Sequence, residues 1–290
     1  MKLLLAFLLV NLFLINDPFA QTIYVAPNGS DQNPGTAEQP LATLTAAIDR
    51  IRLLRKQNPS AQHAWQVIIR KGEYIMPETL NLSVDDSGTE TSPLLFKGEE
   101  GAMPVFYGGF FLNKFERISD SLWKTDVPQV RRYGWRFEQL YVNGSRAIRA
   151  QSPNVGFYKP VSVKETVIVN GDGRAPELAV QQIKIPAEAA NWIKNLNEED
   201  LKDAVITFYH HWDNTKKPVQ FYNAADTSIY ISGEGMKPWN PVTTASLFAI
   251  ENVSSALDAP GEWFLESSGT LYYYPKPGET IETTTAMAPA

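Results

Sequence analysis

The strongest periodic stretch of the chain is TLTAAIDRIRLLRKQ, Thr43 to Gln57, in which Leu44, Ala47, Ile48, Ile51 and Leu54 recur at intervals of three and four. That spacing collects the apolar residues on one face of an amphipathic helix, with Arg50, Arg52, Arg55 and Lys56 elsewhere and enriching its last turns. Thr43 offers an N-cap oxygen. After the helix the period shortens. WQVIIRKGEY (Trp65 to Tyr74), TLNLSV (Thr79 to Val84), PLLFKG (Pro93 to Gly98) and PVFYGG (Pro104 to Gly109) read as short strands divided by Gly, Pro, Asp and Ser. No two-residue Asn-Gly or Asp-Gly turn links them, so the spacing suits the coils of a parallel solenoid as well as a meander.

From Phe110 onward the strands around SLWKTDV, FEQLYVNGSRAIRA, AVITFYHHWD and SIYISG read as antiparallel β. The best-defined hairpin is GEWFLESSGTLYYYP, where Glu262 to Glu266 and Thr270 to Pro275 flank Ser267-Ser268-Gly269, with glycine where a positive φ is needed. Near Asn197 to Asp203 a short helical turn is expected, capped by Asn197 and favoured by Glu198, Glu199 and Asp200 at its positive end. The last stretch, YYYPKPGETIETTTAMAPA, reads as a Pro/Gly turn leading into a new Thr-rich run, as if a further element were starting.

Composition narrows the function classes. A net charge of −6, with Lys and Arg scattered, lacks the basic stripe of a nucleic-acid binder, so no nucleic-acid partner is expected. Met1-Lys2 followed by an apolar run from Leu3 to Ile15 reads as a secretory signal, too short for a membrane span, with a cut near Ala20/Gln21. The expected product is secreted or periplasmic, with no membrane association after cleavage. The chain has no Cys and three His (His63, His210, His211), which removes disulfides, thiol nucleophiles and Cys-containing zinc sites. No metal or cofactor is expected.

Three stretches together resemble a known group. IYVAPNGSDQNPGTAEQPLATLTAAIDRIR is similar to the N-terminal cap of secreted right-handed parallel β-helix proteins, while FEQLYVNGSRAIRAQSPN (Phe137 to Asn154) and LDAPGEWFLESSGTLYYYPKPGE (Leu257 to Glu279) resemble segments of its glycoside-hydrolase branch, around glycoside hydrolase family 141 with the family 120 β-xylosidases as relatives. The resemblance implies a mainly β, pectin-lyase-like fold: the start of a right-handed parallel β-helix with an N-terminal capping helix, interrupted by an inserted antiparallel β-sandwich-like domain. It divides the chain into a signal peptide (1–20), a cap and first coil or coils (21–109), the insertion (110–275) and a re-entry into the solenoid (276–290) that stops short. The implied partner is a polysaccharide or oligosaccharide of plant type. The implied catalytic carboxylates lie on later coils, so no residue here is assigned as catalytic, and this stretch alone is expected to be inactive. A non-catalytic carbohydrate-binding or scaffold protein and a β-helix polysaccharide lyase are the alternatives.

Glycoside hydrolysis needs two facing carboxylates, but the doublets Asp85-Asp86 and Glu99-Glu100 sit in turn-rich segments and read as solvated surface. The loops GSDQNPG (Gly29 to Gly35) and DDSGTE (Asp85 to Glu90) are oxygen-rich without calcium-loop spacing and read as Asx turns. The segment YHHWDNTKK (Tyr209 to Lys217) carries the most chemistry and resembles a His-x-Trp-Asp segment of the same family. Alternation puts His210 and Trp212 on the face of Ile206 and Phe208. One reading is a sugar platform, with Trp212 stacked on a pyranose and His210 and Asp213 bonding hydroxyls. The preferred reading is a packed Trp212, whose loss costs about 3–5 kcal/mol of stability. Arg146 and Arg149 fit a bidentate clamp on an acidic sugar and a structural ion pair equally well. Four Asn-x-Ser sequons, at Asn28, Asn81, Asn143 and Asn252, matter only in a eukaryotic secretory pathway.

Overall fold

The computed structural model describes residues 21–58, 64–112, 114–134, 136–210 and 212–289. The signal segment, His63 and His211 lie outside the described residues. The chain divides into two compact units, one reaching to Phe110 and the other spanning Phe111–Pro289.

In the first unit Gln21–Val25, Trp65–Ile69 and Leu94–Gly98 pair in parallel, so that Ile23, Val67 and Phe96 stand in one row across three strands. A second parallel ladder joins Glu73–Ile75 to Val105–Tyr107. The helix Leu44–Gln57 begins where its cap was expected: Thr43 Oγ1 accepts from Ala46 N at 3.1 Å. Asp31 fixes that start, since one of its oxygens accepts from Ala42 N and Thr43 N at 3.0 and 2.9 Å and the other from the Thr43 hydroxyl at 3.0 Å. Ala47, Ile48 and Ile51 are buried, and Ala47 and Ile51 join Ile23, Val25, Trp65 and Val67 in one core. Burying each Ile side chain contributes roughly 1.5–3 kcal/mol relative to exposure.

Two expectations fail here. TLNLSV forms no strand; its end turns into a short 3-10 helix, Val84–Asp86. Asp86 is also not solvated surface, being 5% exposed with its carboxylate held by Arg52 Nε at 2.7 Å and Nη2 at 2.6 Å. The physical cause is the same in both cases. Arg52 on the helix draws Asp86 inward, and Asp86 Oδ2 then accepts from Ser83 N at 2.6 Å, closing the turn in place of a strand.

Antiparallel pairing dominates the rest of the chain. In the second unit one sheet runs Ser162–Val169, Leu178–Lys184, Ser228–Gly233, Phe221–Asn223, and another runs Gln151–Ser152, Leu247–Glu251, Val205–Tyr209, Asn214–Pro218. Ile183, Ile229 and Ile231 from the first share a core with Ile206, Phe208, Phe248 and Ile250 from the second. The hairpin Glu262–Leu265 with Thr270–Tyr273 belongs to a separate five-stranded sheet, whose core holds Trp123, Trp263, Leu271 and Tyr273. Gly269 turns it at φ +90°, and a Cβ there would lie 2.9 Å from Val127 O. Asn197 caps Glu198–Lys202 and exchanges hydrogen bonds with Asp200. The chain's last strand, Ala286–Pro289, pairs antiparallel with Tyr141–Val142 in this unit. Across the described residues the chain is mainly β with mostly antiparallel sheets.

Candidate functional site

The strands Val205–Tyr209 and Asn214–Pro218 form a hairpin closed at Tyr209↔Asn214, leaving 210–213 as its loop. His210 N donates to Asp213 O at 2.9 Å, and His210 Nε2 lies 3.0 Å from Thr215 Oγ1. Alternation therefore ends at Tyr209. His210 stays half-buried, but Trp212 leaves the Ile206/Phe208 face and is 68% exposed, which overturns its expected packing. A four-residue loop breaks the period that placed it inside.

Beside this loop lies a cleft of about 240 Å³. It opens where the edge strand Asn214–Pro218 faces the inward row of the other sheet, with the 234–242 loop forming its remaining wall. Asp213 stands in its lining. One carboxylate oxygen accepts from Asn240 Nδ2, and the other lies 3.6 Å from Lys237 Nζ. Trp239, next to Asn240, is 55% exposed, so an exposed indole adjoins each member of the Asp213–Asn240 pair. Across the cleft stands Gln181, in the inward row with Ala179 and Ile183 and only 2% exposed. Its Nε2 donates to Glu165 Oε2 at 2.7 Å, and Met236 N donates to the same oxygen at 2.7 Å. A carboxylate only accepts, which fixes which end of the amide faces it. The other end, Gln181 Oε1, is buried without a hydrogen-bond partner among the described residues. Lys217 Nζ donates to Glu234 O at 3.0 Å on the same wall.

The two arginines are not brought into this cleft. Arg149 is held among protein partners: its side chain is 11% exposed, Nε donates to Asn252 Oδ1 at 3.2 Å, Nη1 lies 3.8 Å from Glu251, and its guanidinium stands 5.5 Å from the Trp263 ring. Burial pulls its pKa below the usual arginine value, and Glu251 opposes that shift. Arg146 is exposed on the short strand Ser145–Arg146. Near this cluster the Tyr209 hydroxyl donates to Glu251 at 3.4 Å, and burial, followed by the Glu251 charge, pushes the phenol up.

Neither acidic doublet makes a pair across an opening. Asp86 is tied to Arg52, and Glu99 lies 3.6 Å from Arg70. Among the described residues no group of three or more His, Asp or Glu side chains is placed to hold a metal ion, and no helix is long and apolar enough to cross a membrane.

The model of the GH141 insertion domain matches residues 120–276, more than half of the chain. The chain belongs to the GH141 family. A solved glycoside hydrolase is 26% identical, with a TM-score of 0.72 over 93% of this GH141 chain and 46% of its own. The uncharacterized protein YwoF of Bacillus subtilis (strain 168) is 35% identical over 108 residues, 37% of this chain and 19% of its own. Pectate lyase PEL9 of Emericella nidulans is 26% identical over 150 residues, 50% of this chain and 33% of its own. The chain thus spans a third or less of these curated relatives and under half of the solved hydrolase. The Asp213 cleft lies within the matched insertion domain. Of the residues lining it, Asp213 was a candidate in the sequence, whereas Gln181 and Lys217 were not. The signal for Gln181 was a glutamine in the apolar row of LAVQQIK, the kind of inward polar position that needs a partner.

Proposed function

We propose that this GH141 chain is the N-terminal part of an exported carbohydrate-active enzyme, a glycoside hydrolase acting on plant-type polysaccharide, and that its insertion domain holds glycan in the cleft beside Asp213. The observation that carries the glycan assignment is the cleft itself. A carboxylate, an amide and an ammonium line one small opening, and the exposed Trp212 and Trp239 are next in sequence to its lining residues Asp213 and Asn240. Indoles pack on the apolar face of a sugar ring while the polar groups take its hydroxyls. Hydrolysis needs an acid and a second carboxylate about 5–9.5 Å apart. We assign both to the part of the protein that corresponds to the half of the solved hydrolase this chain does not span. The two parallel ladders of the first unit are read as opening coils of a right-handed parallel β-helix, capped by Leu44–Gln57. Export with a cut near Ala20/Gln21 would leave the first strand whole, because it starts at Gln21.

Calorimetric titration of the chain with xylan- and pectin-derived oligosaccharides tests the cleft. Binding that weakens about tenfold in Trp239→Ala, with an unchanged thermal melt, supports it. Binding untouched by both Trp239→Ala and Asp213→Ala would refute the assignment. The similarity to Pectate lyase PEL9 favours a lyase as the second reading. Release of unsaturated sugars by the intact enzyme, stopped by a chelator, would replace the hydrolase reading with it.

A further inference from the structure

We infer that the Asp213 cleft is built for an acidic sugar, a hexuronate unit whose carboxylate meets Lys217 and whose hydroxyl donates to Gln181 Oε1. The inference rests on the reading of this cleft as a glycan site and adds the charge of its ligand.

Three lysines line the cleft, and two are matched by carboxylates. Lys216 Nζ donates to Glu138 at 2.7 Å, and Lys237 lies 3.6 Å from Asp213. Lys217 differs. Its described partner is the backbone carbonyl of Glu234, at 3.0 Å, which positions the ammonium without neutralising it. Strand register explains its placement: Lys217 pairs with Ile206 and Thr215 with Phe208, so both belong to the inward row where the sandwich opens. Gly233, at φ +117°, leaves room for it, since a Cβ there would come within 3.2 Å of Lys217 Nζ. An ammonium has three donors, so after the bond to Glu234 O two remain for a ligand.

In the same lining, Gln181 is only 2% exposed, its amide orientation is set by Glu165, and its Oε1 is an acceptor without a partner among the described residues. A buried carbonyl oxygen calls for an O–H or N–H donor. The ligand must therefore supply a hydroxyl on one side and an anion on the other within about 240 Å³. That is below the roughly 300–1,000 Å³ of drug-sized pockets, and it fits one ring of a chain better than several. A pyranose carrying a carboxylate has both groups on one rigid ring. A neutral sugar would satisfy Gln181 and leave Lys217 unmatched.

The test uses the whole chain with trigalacturonate, its methyl ester and xylotriose as probes, titrated by calorimetry at two ionic strengths. The acid is expected to bind at least about tenfold more tightly than its ester, the value of one charge-assisted hydrogen bond, and only the acid's affinity should fall with salt. Lys217→Met should erase the difference between acid and ester and, with it, the salt dependence of acid binding. Should that variant fail to fold, the salt dependence of the wild-type chain still decides. Acid and ester binding equally, with no salt dependence, would overturn the acidic-sugar inference and leave the glycan site standing. Binding of none of the three would overturn both.

Discussion

The side chain of Asn252 exchanges two hydrogen bonds with the backbone of Leu265: Leu265 N donates to Oδ1 at 3.0 Å, and Nδ2 donates to Leu265 O at 2.8 Å. It stands in for a strand partner. The same amide donates to Asp203 O at 3.0 Å, and Oδ1 also accepts from Arg149 Nε at 3.2 Å. Asn252 is 0% exposed and sits at φ +60°, a left-handed conformation that asparagine adopts more readily than most residues. Its place in a sequon is therefore structural, since a buried amide is closed to glycosylation. Asn252→Ala leaves the Leu265 amide and carbonyl without this partner, and we expect a loss of about 3 kcal/mol or more in urea unfolding. A loss under 1 kcal/mol would show that this bridge is replaceable.

Arg149 depends on shape as well as charge. Arg149→Lys keeps a cation near Glu251 but loses the Nε bond to Asn252 and the planar group beside Trp263. We expect a cost of about 1–2 kcal/mol with oligosaccharide affinity unchanged. Affinity that falls while stability holds would make Arg149 a ligand-binding residue after all.

The Asp86–Arg52 pair gives stability a pH dependence of known sign. The Arg52 guanidinium holds the Asp86 carboxyl well below the usual carboxylate range, with the Ser83 N–H and hydroxyl assisting and burial opposing. A depressed folded pKa stabilises the fold above the unfolded value of about 3.9 and loses that contribution as pH falls through and below it. The gap in stability between the parent and Asp86→Asn should be full at pH 7 and should narrow below about pH 4. A gap that is constant from pH 7 to pH 3 would contradict the assignment.

Trp212→Ala reverses the expectation drawn from alternation. With the indole 68% exposed, its removal should change stability by no more than about 0.5 kcal/mol while weakening oligosaccharide binding. Thermal melts alongside titration separate the two effects. A melt lowered by several degrees with binding intact would return Trp212 to a structural role.

What could be read from the sequence was local. The helix face from Leu44 to Ile51, its Thr43 cap, the Gly269 hairpin and the Asn197 turn each follow from short-range spacing, and each formed. What escaped depends on partners far along the chain. Asp86 is read as solvated until Arg52, 34 residues earlier, is known to lie beside it. Trp212 is read as buried until the register Tyr209↔Asn214 turns it into a loop residue. Lys217 and Gln181 sit on different sheets, so no sequence spacing links them, and only the fold brings them to one cleft.

The most direct test of the central claim is a crystal structure of the chain soaked with an oligosaccharide that it binds in solution. A sugar ring is expected in the cleft, within hydrogen-bond reach of Gln181 Oε1 and Lys217 Nζ. A saturating ligand seated elsewhere on the chain, with this cleft holding only solvent, would contradict it.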